Sequence, residues 1–290
     1  METLLAGGNA ETLFPGVNDY LTRAESVIQL SQPVSGKTHL LPSDGEFHTG
    51  VDLGTAYLVL VVLDRNNQPI TGEYQYAEVV RDGLVVDYIG AIDRLRIMKN
   101  HVEERLGRRL THAASGFPPG VARVEVRATA SVVEAAGFDC TGLVDEPTAA
   151  NNVLQLKNSA IVDVGGGTTG IAVVRDGQVV YTADEPTGGT HFSLVIAGAL
   201  GISFEAAEEL KKKPSEQTRL FPLVRPVMEK VANIVAHHVA GRQVTNLTLV
   251  GGATAFPGMA DVIQEYTGIP TRSLSRPLFV TPLGIAMHDA

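Results

Sequence analysis

The sequence predicts an α/β protein made of two similar lobes with a cleft between them. Two fragments carry this reading. VDVGGGTTG, Val162 to Gly170, follows one strand-like apolar run and precedes another. VDLGT, Val51 to Thr55, repeats the start of that pattern, with Asp52 lying 111 residues before Asp163. Each fragment is followed by further strand patterns and then helical ones, and internal duplication of this kind predicts two α/β lobes. The length of 290 residues, with 44% hydrophobic and 19% charged side chains, is ample for two such cores.

Along the chain the expected divisions are an N-terminal extension over residues 1–48, a first lobe over 49–158 and a second over 159–290. A last helix at about 281–290 is expected to pack back on the first lobe. The extension carries Gly7-Gly8, Phe14-Pro15-Gly16, Gln32-Pro33, Leu41-Pro42 and Asp44-Gly45, the composition of turns and loops. Within it, NDYLTRAESVIQL sets Tyr20, Leu21, Ala24, Val27 and Ile28 on one helical face, with Asn18 or Asp19 as N-cap. Two readings stand side by side, a helix docked on the body and a tethered peptide that binds a partner.

In the first lobe, Gly50 to Ile70 reads as strand, turn at Asp64 to Asn67, and strand, continued by Tyr74 to Val80. Gly90 to Leu106 reads as a helix with Ala91, Leu95, Met98 and Val102 inward. Ala113 to Phe117 is a strand, and Arg123 to Ala136 a helix stopped at Gly137. Thr141 to Val144 is a strand running into DEPTAA and an alanine-rich helix. In the second lobe, SAIVDVGGGTTGIAVVRDGQVVYTADEP is strand, glycine turn, strand, Asp176-Gly177 hairpin turn, strand. Helices follow at Phe192 to Leu200, Phe204 to Lys213 and Leu223 to Gly241. NLTLV is a strand ending in Gly251-Gly252, and Pro257-Gly258 open a helix through Tyr266.

Composition excludes several functions. A net charge of −9 gives no electrostatic footprint for nucleic acid. The basic run Lys211 to Lys213 adjoins Glu208 and Glu209 and reads as a solvated helix end. Cys140 is the single cysteine, so no intrachain disulfide or cysteine-based metal site is expected. It reads as a passive thiol in a reduced cytoplasmic compartment. No secretory signal and no apolar run of about 18 residues is present, so no membrane span is expected. The pair His237-His238 reads as packed or surface side chains, and His191, after Gly188-Gly189-Thr190, is expected to approach the cleft.

The glycine turns admit a chemical test. Gly165, Gly167 and Gly170 match the G-x-G-x-x-G of dinucleotide-binding loops, but that motif must open a helix. Here Ile171, Ala172, Val173 and Val174 follow, then Asp-Gly, which is a hairpin. Ser35-Gly36-Lys37-Thr38 carries the GKT of another phosphate loop, but Ser31 stands where its first glycine belongs and no strand precedes it. Successive glycines let backbone amides converge on an anion, and threonines add hydroxyl donors. An aspartate before each turn opposes bare phosphate but suits a hydrated Mg²⁺, which takes hard oxygen ligands and keeps its waters. Mg²⁺–nucleotide clamped between lobes, with Asp52 and Asp163 on either side of the metal, is the device these residues predict.

Five segments resemble, in order, the actin/DnaK-type heat-shock chaperone/sugar-kinase ATPase superfamily. They are VDLGT, DEPTAA (Asp145 to Ala150), VDVGGGTTG, LVGGATAFPG (Leu249 to Gly258) and TPLGIAM (Thr281 to Met287), and they span Gly50 to the end. VVRDGLVVDYIGA, HAASGFPPG and TADEPTGGTHFSL further resemble the EutJ family of ethanolamine-utilisation proteins. That family belongs to operons for ethanolamine catabolism in protein-shelled microcompartments and is described as chaperone-like. The resemblance implies duplicated ribonuclease H-like (actin-like ATPase) lobes. It further implies that Gly54, Thr55, Gly165, Gly166, Gly167, Thr168 and Thr169 hold the β- and γ-phosphates of ATP. Asp52 and Asp163 would hold Mg²⁺ through water, and Gly251, Gly252 and Ala253 would contact the α-phosphate and adenosine. Glu146, with Asp163, is the implied catalytic group, placed to orient or deprotonate the attacking water. A carboxylate at a helix start stabilised by the helix dipole is an equally good account of Glu146. Ala56 and Tyr57 depart from the small hydroxylated residues common in relatives. The catalytic lysine of the chaperones has no evident counterpart, and a separate peptide-binding domain is not expected.

Three functions follow from this reading. The first is a slow ATPase switch read by a protein partner of the ethanolamine pathway or its shell. The second is a small-molecule kinase of the same fold, and the third is a nucleotide-binding scaffold without significant hydrolysis.

Overall fold

The computed structural model describes residues 16–31, 45–81 and 84–289. The loop signals at 7–8, 32–33, 41–42 and 44, and the Gly36-Lys37-Thr38 stretch, lie outside these residues. The chain opens with α1 (Val17–Val27) and β1 (Ile28–Leu30), then β2 (Phe47–Leu53), β3 (Tyr57–Asp64), β4 (Pro69–Tyr76) and the short hairpin β5 (Val80–Arg81) and β6 (Leu84–Val85). It continues through α2 (Tyr88–Leu106), β7 (His112–Phe117), α3 (Arg123–Ala135), β8 (Asp139–Asp145) and α4 (Glu146–Leu154). The second pass is β9 (Ser159–Val164), β10 (Thr169–Arg175), β11 (Gln178–Glu185), α5 (Gly189–Leu200), α6 (Phe204–Lys211) and α7 (Pro214–Val239). It ends with β12 (Leu247–Val250), α8 (Met259–Thr267), β13 (Thr271–Ser273) and α9 (Val280–Ala286).

Among the described residues, apart from the β5-β6 hairpin, the strands form two sheets of like topology. One has the order β1-β4-β3-β2-β7-β8 and the other β11-β10-β9-β12-β13. In each, an antiparallel three-strand meander is extended by two parallel strands. The first sheet has one strand more, because β1 adds in parallel to β4. The duplication visible in the sequence is therefore a duplication of sheet order.

Alternation along the strands explains the layers. In β3, Leu58, Leu60 and Val62 join the apolar face of α2 and α3, while Val59, Val61 and Leu63 point into a shared middle layer. All six are buried, each removal from water contributing roughly 1.5–3 kcal/mol as an upper bound. The middle layer also holds Leu21 of α1, Leu154 of α4, Ile161 and Ala172 of the second sheet, and Leu283 of α9. Beyond the second sheet, Phe192 of α5, Val231 of α7 and Ile263 of α8 close a third core. Helix α4 thus packs on the sheet after it, and α9 packs back on the first sheet.

The N-terminal helix is docked on the body, with Val17, Leu21 and Ala24 buried. Its cap is Gly16 (φ 86°), not Asn18 or Asp19, because Val17 must already be helical to seat in the core. The Asn18 side chain instead accepts from the Ser275 amide and hydroxyl, both at 3.2 Å. The pattern of the extension also turns from helix to strand at Ile28, one residue inside the expected helical face. The strand after Gly72 stops at Tyr76, before Val80. Helix α7 starts nine residues ahead of Leu223 and contains Pro222 and Pro226. The buried stripe Leu220, Val224, Met228 and Val231 runs through both prolines, and its packing outweighs the roughly 3 kcal/mol or more that an interior proline costs.

No single described helix is long and apolar enough to cross a membrane. His238 is packed: its Nδ1 pairs with the Tyr181 hydroxyl at 2.7 Å and its Nε2 with Glu185 at 3.3 Å. Burial pushes the Cys140 thiol above its ordinary range.

Candidate functional site

A cavity of about 670 Å³ opens between the two sheets. Asp52 reaches it from the end of β2 and Asp163 from the end of β9, the corresponding strands of the two sheets. Each is followed by the same tight hairpin. The Gly54 amide donates to Tyr57 O at 3.0 Å, and the Gly165 amide donates to Thr168 O at 3.0 Å. The strand after Gly170 is β10, so the glycines open a hairpin and not a helix. Asp176 (φ 50°) and Gly177 (φ 80°) close its far end in the left-handed conformations that a two-residue hairpin turn requires.

The two turns touch across the cleft. A Cβ on Gly166 would lie 2.6 Å from the Ala56 Cβ, closer than side chains ever approach, so glycine is required for the loops to meet. The second loop is tied from below by α5: Gly189 N donates to Gly165 O at 2.9 Å and Thr190 N to Gly166 O at 2.8 Å. With those carbonyls engaged, the remaining amides of Gly166, Gly167 and Thr168 are the groups on offer to an anion.

Glu146 is the first residue of α4. Asp145 caps the helix by accepting from the Thr148 amide at 3.0 Å, which leaves the Glu146 side chain free to line the cleft. Burial pushes its carboxyl well above the usual range, helped by the charges of Asp52, Asp163, Asp184 and Asp145. Burial likewise raises Asp52 to about 7, with Asp163 adding to the shift. Asp163 rises to about 6 by burial, held back by the Thr281 hydroxyl, which donates to it at 2.9 Å. Three half-buried carboxyls that resist ionisation in each other's company form a hard-oxygen donor set suited to a divalent cation. Among the described residues, no three metal-binding side chains converge closely enough to ligate an ion directly.

Of the residues expected at the phosphates and adenosine, Gly54, Thr55, Gly165, Gly166, Gly167, Thr168, Gly251, Gly252 and Ala253 all line the cavity. Thr169 does not: it is fully buried, and its hydroxyl donates to Thr187 O at 2.6 Å. His191 does line the cavity, where its Nδ1 accepts from the Gly188 amide at 3.3 Å.

Sequence reasoning missed the basic side of the cleft. Lys211 is not solvated; it is largely buried and donates to Gly189 O (2.9 Å), Ser193 Oγ (2.8 Å) and Glu208 (2.5 Å). Burial lowers its ammonium below the ordinary lysine range. Lys212 and Glu208 line the cavity beside it, with Arg81 and Tyr76 opposite. The available signal was the i,i+3 spacing of Glu208 and Lys211 on the face that carries buried Ala207, which separates one lysine of the run from its neighbours.

Helices α4 and α9 cross beside the cavity. A Cβ on Gly284 would lie 1.8 Å from Ala149 O, so the helices meet backbone to backbone. Beyond α9, Asp289 is buried in the first sheet, accepting from the Thr49 amide (2.7 Å), His112 Nδ1 (2.7 Å) and the Thr141 hydroxyl.

Like sheets that present glycine hairpins and aspartates to one cleft, linked by crossing helices, define an actin-like ATPase fold. The family model described as MreB/Mbl protein matches residues 71–219, and that of cell division protein FtsA matches residues 160–284. The solved structure of MreB 5 of Spiroplasma citri bound to AMPPNP aligns with a TM-score of 0.67 at 17% identity, over 85% of this chain and 96% of that one. That likeness is one of fold alone. The ethanolamine utilization protein EutJ of Escherichia coli (strain K12) is 45% identical over 238 residues, 82% of this chain and 84% of its own length. The crystal structure of EutJ from Carboxydothermus hydrogenoformans aligns with a TM-score of 0.82 at 45% identity, covering 86% of this chain and 92% of that one. The chain belongs to the EutJ family of ethanolamine utilization proteins.

Proposed function

We propose that the chain binds Mg-ATP between two lobes, residues 49–158 and 159–290, and acts as a slow ATPase switch. The observation that carries this is the set Asp52, Glu146 and Asp163, half-buried and lining one cavity with two glycine hairpins. Mg²⁺, when bound, neutralises phosphate charge and draws the three carboxyls back to their ionised forms. Asp52 and Asp163 hold the hydrated ion by accepting from its waters. The amides of Gly54 and of Gly166 to Thr168, with the Thr55 and Thr168 hydroxyls, hold the β- and γ-phosphates. Gly251, Gly252 and Ala253, at the end of β12, face the α-phosphate and adenosine. Glu146 orients the attacking water and accepts its proton at the carboxylate.

The family's place in ethanolamine utilisation and the AMPPNP bound by the MreB relative support a nucleotide-driven role. The cycle closes the lobes with ATP and relaxes them after hydrolysis, and a protein partner reads the difference. The partner belongs to the ethanolamine pathway or its microcompartment shell, the role is chaperone-like, and the location is the cytoplasm.

The test is calorimetry with Mg-ATP followed by phosphate release from the wild type, Glu146→Ala and Asp163→Ala. Binding with slow release, abolished in both variants, is the expected result. Binding with no release by the wild type sinks the ATPase and leaves a scaffold. Release of ADP only when a small hydroxyl-bearing acceptor is added makes the chain a kinase.

A further inference from the structure

Lys212 is the first residue beyond α6, on the second half of the chain, yet its ammonium faces aromatic rings of the first half. It lies 5.8 Å from the ring centroid of Tyr57 and 5.4 Å from that of Tyr76, both within reach of a cation–π attraction. Tyr57 and Tyr76 are paired across β3 and β4, and their rings meet edge to face at 5.9 Å. The platform is therefore rigid before the lysine arrives. The same ammonium also pairs with carboxylates of its own half, Glu209 at 3.1 Å and Glu208 at 4.0 Å, so the lysine is held charged beside the rings. All three residues of the contact line the mouth of the cavity. The rings also continue inward: Tyr57 meets Tyr74 at 5.8 Å, and Tyr74 meets Phe279 at 5.8 Å, next to α9 and the Thr281 that binds Asp163.

We propose that Lys212 with Tyr57 and Tyr76 forms a latch across the cleft that holds the two halves closed and sets how fast a bound nucleotide leaves. The consequence for release rests on the proposed nucleotide site; the latch itself does not. Tyr57 closes the first hairpin, so opening the latch frees the turn that carries Thr55.

Dissociation of a fluorescent ADP analogue is measured by stopped flow for the wild type, Lys212→Met, Lys212→Arg, Tyr76→Leu and the Lys212→Met/Tyr76→Leu pair. In parallel, spin labels at Arg65→Cys and Glu205→Cys in a Cys140→Ser background report the distance between halves without nucleotide. Release accelerates on the order of 3- to 30-fold in Lys212→Met and stays near wild type in Lys212→Arg. Tyr76→Leu adds little once Lys212 is changed, because the two residues share one contact. The label distance lengthens or broadens in Lys212→Met. An unchanged distance distribution in Lys212→Met, or fully additive effects of the pair, overturns the latch. Failure of the wild type to bind any nucleotide overturns the proposed function instead, and the distance measurement still decides the latch.

Discussion

The two hairpins that flank the cleft share a backbone and divide the chemistry. Both close with the same glycine-to-carbonyl bond, and both follow an aspartate at a strand end. In the second, three glycines and α5 beneath them leave amides facing the cleft. In the first, Ala56 and Tyr57 follow the single Gly54, and the wall continues as aromatic rings. The aspartates differ as well. Asp163 has the Thr281 hydroxyl to hold its charge, whereas the charge of Asp163 adds to burial in opposing ionisation of Asp52. One duplicated element lines the cleft with a run of glycines, the other with one glycine, aromatic rings and a reluctant carboxylate. The lesson is that duplication of topology fixes where groups sit, and local neighbours decide what they do.

The strongest way to break this arrangement is to part the halves. Gly284→Val places a branched side chain where Ala149 O already lies, and the crossing of α4 and α9 must open. Urea unfolding is expected to show a loss of roughly 3 kcal/mol or more, or no soluble protein. Gly198→Ala, in α5 with open space around it, is the control and gains a few tenths to about 1 kcal/mol. Equal effects of the two would remove the crossing from the argument.

A second measurement compares the aspartates. A carboxyl whose pKa is raised by folding keeps its proton longer in the native state. The stability it contributes is complete below the unfolded pKa and is lost as pH rises through the folded value. For Asp52 that window runs from 3.8 to about 7, and for Asp163 from 3.8 to about 6. Without Mg²⁺ the protein should therefore weaken as pH climbs from 4 to 7, by on the order of 3 kcal/mol for each carboxyl, with Asp52 the larger. Asp52→Asn should flatten the thermal-melting profile more than Asp163→Asn, and Mg-ATP should reverse the loss in the wild type. A profile that rises with pH would contradict the burial of these groups.

The third comparison concerns the loops. Gly166→Ala collides with Ala56 of the opposite half, while Gly54→Ala collides with Tyr57 O of its own hairpin at 2.7 Å. Gly166→Ala should weaken Mg-ATP binding by roughly 1–3 kcal/mol in calorimetry and leave urea stability little changed. Gly54→Ala should lower both. If the two variants behave alike, the closed contact between the hairpins is not what the nucleotide uses.

Most of the fold and the cleft-facing glycines were legible because they depend on local chemistry. A strand, an aspartate and glycines followed by β-branched residues allow a hairpin and little else, and the repeat at Asp52 supplies the symmetry. Glu146 read as a carboxylate at a helix start, and it is the first residue of α4. Long-range competition hid the rest. Thr169 has the right residue type for a phosphate donor, but the pairing of β10 turns it toward Thr187 O. Lys211 looked solvated because its partners Ser193 and Gly189 lie about 20 residues away on another helix. β1 was hidden within a helical periodicity because its partner β4 is 44 residues on.

The smallest expected effect sharpens the comparison most, because it tests why the aspartates differ. Thr281 belongs to α9, which packs on the first sheet, yet its hydroxyl donates to an aspartate of the second. That bond favours the ionised form of Asp163, so Thr281→Val removes it without changing size. Stability should fall by roughly 0.5–1.5 kcal/mol at neutral pH, and less in acid where Asp163 is protonated in both forms. The Asp163 titration, followed by NMR of its labelled carboxyl, should move upward from about 6 toward the value of Asp52. An unmoved titration would mean that burial alone sets Asp163. The difference between the hairpins would then lie in the loops, and α9 would have no part in it.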